Sequence, residues 1–212
     1  MPTTLQDFVL ETLTHVHVGR LNFRYGATRV WPDGYRVDIA HCVRDGLIRV
    51  TTDRAVLGPH PEQLDTPGGA FLMDTPRGQP HPMFIDPASC DIVNGAPYVK
   101  STLSVYEQAE LRGTIVHEAT HALQDWMRIR LDPCTAEGAA YLAGAVTRRL
   151  WGYAIVLANP GISGLSRSLA VADRFLAETD PHRRYVIPSA DVLWINARVT
   201  TGAASRYVYN GI

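Results

Sequence analysis

An α+β fold is predicted, with a small N-terminal sheet and a mostly helical C-terminal half. Three observations carry it. Short alternating segments concentrate before about residue 100, helix-start signals and helical periodicity dominate after it, and 46% hydrophobic against 19% charged residues leaves ample material for a core. At 212 residues the chain is expected to form one domain, 1–212, with a mixed strand-and-loop part over 1–100 and a helical part over 101–212.

The elements follow in order. Residues 5–13 have helical character, and 15–18, 35–40 and 47–52 alternate with the period of a strand. Segment 58–82 holds six of the 14 prolines together with Gly58, Gly68, Gly69 and Gly78, which predicts a long loop without a regular ladder. Two short extended segments, 83–86 and 98–100, come next. Ser104-Val105-Tyr106-Glu107 is a capping box, so a helix starts there. It runs to about Met127, because Leu111, Ile115, Ala119, Ala122 and Trp126 recur at spacings of three and four and form one apolar stripe. Asp132-Pro133 supplies an N-cap and a proline at the first helical position, which starts a second helix. Further helices are predicted over 164–178 and 189–198, and 200–212 carries no assignable pattern.

Charge and cysteines narrow the function classes. Lys+Arg 20 against Asp+Glu 21 gives a net charge of -1, and the pairs Arg148-Arg149 and Arg183-Arg184 are too sparse for a nucleic-acid stripe, so no nucleic-acid partner is expected. The apolar stretch 138–158 is interrupted by Arg148 and Arg149, and neither piece reaches the roughly 20 residues of a membrane span. Cys42, Cys90 and Cys134 form neither a metal knuckle nor a disulfide framework and read as reduced thiols. Asp7 and Glu11 stand where a secretory signal would carry basic residues, so the expected location is cytoplasmic, with signal-independent delivery as an effector left open. Oligomeric state is not legible.

The chemistry lies in His117-Glu118-Ala-Thr-His121, an HExxH string in the middle of the first long helix. Residues four apart sit one above the other, so both histidines can offer a nitrogen to one tetrahedral metal while Glu118 projects beside them. Zinc acidifies a bound water, and the adjacent carboxylate can accept its proton, which is the logic of metal-assisted hydrolysis. Uncharged flanks, Ile115, Val116, Ala119, Thr120, Ala122 and Leu123, suit a helix buried beneath such a site.

Over about 104–150 the sequence resembles the zincin metallopeptidases, in a minimal, bacterial-type form. The metzincin branch would need a glycine where Gln124 stands and a histidine where Met127 stands. The resemblance therefore points to the gluzincin branch, which takes a glutamate from the next helix, and implies a zincin-like fold with the sheet over the active helix. Glu137 is the matching residue, and small neighbours in Thr135-Ala-Glu137-Gly-Ala-Ala-Tyr141 would let the two helices approach closely. Only 15 residues separate His121 from Glu137, a short spacing for that branch. Tyr141 stands where many gluzincins carry an aspartate that orients a ligand histidine. Asp125 is the substitute nearest in sequence, unless it is a solvent-facing carboxylate. Asp132 is an alternative ligand already explained by its capping role.

The implied activity is zinc-dependent hydrolysis of a protein or peptide substrate, with His117, His121 and Glu137 as ligands and Glu118 as general base. An oxyanion donor is also required, and Tyr141 and His182 are the candidates, with Tyr207 and Tyr209 behind them. In the family an extended substrate pairs with an edge strand before the active helix, here 83–86 or 98–100, and 58–82 could then be a lid. His15 and His17 lack a third ligand. Cys90 has flanks unlike those of a deformylase and reads as a buried thiol. The alternatives are a small-molecule amidase or other metal-dependent hydrolase, an iron-dependent oxygenase using the same ligands, or a non-catalytic metal-binding interaction module.

Overall fold

Two adjacent helices, α3 (Val105–Trp126) and α4 (Pro133–Leu150), form the centre of an α+β structure. The computed structural model describes residues 3–58, 68–73, 75–76, 78–154, 163–178, 180 and 183–199. Helix α3 begins as its capping box dictates: Ser104 Oγ accepts the Glu107 N–H at 3.3 Å, and the Glu107 carboxylate accepts the Ser104 N–H at 2.7 Å. Leu111, Ile115, Ala119 and Ala122 of the expected stripe are buried, but Trp126 is 40% exposed, so the stripe ends a turn early. A fully buried leucine or isoleucine contributes about 1.5–3 kcal/mol, so this face fixes the helix in place. At the start of α4, Asp132 Oδ1 accepts the Thr135 N–H at 2.9 Å, which occupies Asp132 as the cap.

Small residues bring α3 and α4 together. A Cβ on Gly144 would come within 2.7 Å of the Gly113 carbonyl oxygen, and one on Gly113 would collide with the Arg148 side chain. The backbones therefore meet at these two glycines. Arg148 is buried alongside them, its Nε donating to Glu110 Oε2 at 2.7 Å.

The expected single N-terminal sheet is three small ones. Strands β1 (Phe23–Tyr25) and β2 (Thr28–Val30) form a hairpin completed by β8 (Tyr185–Val186), parallel to β1 and drawn from the C-terminal half. A second sheet has the order β3 (Ile48–Thr51), β5 (His81–Ile85), β4 (Gly69–Phe71), with β3 and β5 parallel and β4 antiparallel to β5. The third is the hairpin β6 (Cys90–Val93)/β7 (Ala96–Val99), turned at Asn94-Gly95, both with positive φ. Helices α1 (Leu5–Thr14), α2 (Ala40–Arg44), α5 (Gly164–Glu178) and α6 (Ser189–Asn196) enclose a core that runs as one cluster from Leu5 to Val199. Among the described residues no helix is long and apolar enough to cross a membrane.

Three strand and loop expectations are corrected. Residues 15–18 lead into a 3-10 turn (Val16–Arg20), because His15 Nδ1 accepts the His17 N–H at 3.2 Å and both rings pack on Trp151 instead of joining a ladder. The 35–40 strand is a π-helical turn (Gly34–Ile39) leading into α2. Tyr35 and Ile39 share a face under either period, and Val37, which a strand would bury with them, is 58% exposed. Within 58–82, Gly69–Phe71 is a buried strand and His81-Pro82 open β5.

Candidate metal centre

Helix α3 presents His117 and His121 toward α4 and Glu118 toward β4, and the close approach at Gly113 and Gly144 brings Glu137 level with the two histidines. One donor atom from each of His117, His121 and Glu137 lies within 4.8 Å of the others. His117 Nε2 and His121 Nε2 are 3.2 Å apart, Glu137 Oε2 is 3.5 Å from His117 Nε2, and Glu137 Oε1 is 3.5 Å from His121 Nε2. Donors held at about 2.0–2.1 Å around a tetrahedral zinc are separated by roughly 3.3–3.4 Å, and here each carboxylate oxygen of Glu137 approaches one imidazole at close to that separation. Two imidazoles and one carboxylate leave a fourth position open.

Glu118 is 4% exposed. Strand β4, which among the described residues pairs with β5, lies over it: a Cβ on Gly69 would come within 3.1 Å of Glu118 Cγ, and the Phe71 backbone N–H is directed at the carboxylate. Burial pushes the Glu118 carboxyl up, as does Glu137, while His117, His121 and the Phe71 N–H pull the other way; the net direction is up. For Glu137 burial opposes the charge, but the two imidazoles outweigh it and hold the carboxyl well below the usual carboxylate range. For His121 burial likewise opposes the charge, and Glu137 outweighs it, lifting the imidazole above its ordinary value.

The other expected residues fall as follows. Tyr141 stands edge-on to His117, ring centroids 4.8 Å apart, at the site. His182, Tyr207 and Tyr209 lie outside the described residues. Asp125 is fully buried and faces His81, 3.7 Å away, so it is not a solvent-facing carboxylate. The residue on His121 is Gln124, whose Oε1 is 3.2 Å from Nδ1. Its position three residues on was visible in the sequence; its partner across the helix pair, the Ala136 carbonyl, was not. Cys90 is a buried thiol pushed up to about 11, chiefly by burial, and is not a member of the donor cluster.

Neither segment expected to offer a free strand edge does so. Residues 83–85 belong to β5, the central strand of its sheet, and Tyr98 bridges to Thr4 on the side of β7 away from β6. Strand β4 is the one that borders Glu118. Beside it a cavity of about 270 Å³ runs along the Glu107, Leu111 and Thr114 face of α3, one turn before Glu118. No family model, curated protein or solved structure matches the chain.

Proposed function

We propose that this protein is a zinc-dependent metallopeptidase of the gluzincin type on a minimal zincin-like plan. His117, His121 and Glu137 would hold the zinc, and Glu118 is the general base. The supporting observation is the donor cluster, with the two imidazole nitrogens 3.2 Å apart and one Glu137 oxygen 3.5 Å from each, drawn from two helices with Glu118 adjacent in sequence. When bound, zinc with one open position supplies a Lewis acid and lowers the pKa of a water to about 7.

The chain's own residues do the rest. Burial raises the proton affinity of the Glu118 carboxylate, which suits it to take a proton from the attacking water and return it to the leaving amine. The Phe71 N–H holds that carboxylate in place during the transfer. Tyr141, standing against His117, is the oxyanion donor in this scheme. A protein or peptide substrate would lie along the β4 side, with the cavity beside Thr114 receiving a flanking side chain.

The test is cleavage of a peptide library by the zinc-loaded protein, read by mass spectrometry, with Glu118→Gln as control. Loss of general-base catalysis should slow cleavage by about 10²–10⁴-fold while zinc content stays unchanged. Absence of cleavage by the zinc-loaded wild type, or an undiminished rate in Glu118→Gln, would overturn the proposal.

A further inference from the structure

Gln124 is a buried residue on α3, three positions after His121, and its amide spans the helix pair. Its nitrogen donates to the Ala136 carbonyl of α4 at 3.1 Å, and its Oε1 lies 3.2 Å from His121 Nδ1. These two contacts have a fixed sense. A carbonyl can only accept, so the amide nitrogen must face Ala136 and the amide oxygen must face the ring. An amide oxygen can only accept as well, so Nδ1 of the neutral imidazole must carry the hydrogen. The lone pair then sits on Nε2, the atom 3.2 Å from His117 Nε2 and 3.5 Å from Glu137 Oε1. Ala136 is the residue immediately before Glu137, so the same amide that selects the His121 tautomer also ties down the turn bearing the third donor.

We propose that Gln124 is the positioning residue of this site: it commits His121 to the Nδ1–H tautomer and fixes the His121-to-Glu137 separation at a metal-binding distance. The inference rests on the zinc reading above. It assigns Gln124 the place that an aspartate on the second helix would otherwise fill, and it makes the glutamine a determinant of metal affinity as well as a tie between helices.

Two measurements on the full chain test it. In the metal-free protein at alkaline pH, where the imidazoles are neutral, long-range proton–nitrogen NMR reports which ring nitrogen of His121 carries the hydrogen. The wild type should show Nδ1–H, and Gln124→Leu, with no acceptor, should revert toward Nε2–H. In a cobalt(II) titration followed by visible absorption, the wild type should bind one equivalent and Gln124→Leu should bind about 10–100-fold more weakly. Gln124→Glu retains an acceptor for Nδ1–H and should keep the wild-type tautomer and bind cobalt more tightly than Gln124→Leu. Should circular dichroism show Gln124→Leu unfolded, Gln124→Glu carries the test: a folded variant that loses the Nδ1–H tautomer overturns the proposal. So does a wild-type His121 protonated at Nε2, or a folded Gln124→Leu that binds cobalt like the wild type. A wild type that takes up no cobalt overturns the zinc reading itself, which separates that failure from this one.

Discussion

Four ionisable side chains on two helix faces share the small volume around His117, and their mutual effects give the metal-free protein a defined pH response. Glu137 has a folded pKa below its unfolded value near 4.5, so its stabilising contribution is present above that value and is lost as pH falls through the depressed one. His121 has a folded pKa above its unfolded value near 6.5, so its contribution is present below that value and is lost as pH rises through the raised one. Both are complete between about pH 4.5 and 6.5. Urea midpoints measured in chelator across this range should therefore lose the pair's contribution on either side of it; His121→Ala should flatten the alkaline limb, and an unchanged limb would contradict the assignment. Zinc responds in the opposite sense on the alkaline side, because it competes with protons for His121, and its affinity should rise with pH through the raised imidazole value.

At the scale of elements, the approach of α3 to α4 at Gly113 and Gly144 brings the donor cluster together. In an exposed helix, glycine to alanine would stabilise by up to about 1 kcal/mol. Here the added methyl at position 113 meets buried Arg148, so Gly113→Ala should instead destabilise by about 1–3 kcal/mol, seen as a lower urea midpoint. A stabilised variant would show that the Arg148 side chain does not pack against this position. Much of this pair was legible in sequence, because its signals are local: Ser104 and Glu107 cap one helix and Asp132-Pro133 starts the other, although the close approach is made by Gly113 and Gly144, while Gly138 beside Glu137 faces Tyr25 and Asn196. What was lost depends on partners distant in the chain. Exposed Val37 and buried Ala40 distinguish a helical turn from a strand at 35–40, β4 exists because β5 pairs with it, and β8 needs β1 from the far end of the sequence. Gln124 was read only as the residue that excludes the metzincin pattern, since its acceptor, the Ala136 carbonyl, belongs to another helix.

Across the whole molecule, one core cluster reaches from α1 to Val199, and the candidate donors His117, His121 and Glu137 join two of its helices. A metal bound there acts as a cross-link present only in the folded state, so it should stabilise the entire chain. At free zinc about 100 times its Kd the gain is about 2.7 kcal/mol. For a chain of this size that corresponds to roughly 5–11 °C in Tm. Zinc should raise the Tm of the wild type and of Glu118→Gln equally and leave His121→Ala unmoved; equal shifts in all three would place the metal elsewhere.

Metal content decides whether His117, His121 and Glu137 form one metal site. Inductively coupled plasma mass spectrometry of the purified wild type, His117→Ala and Glu137→Ala should find about one zinc per chain in the first and a loss in both variants. A wild type without metal even after zinc is added back, or variants as metal-rich as the wild type, would contradict that site.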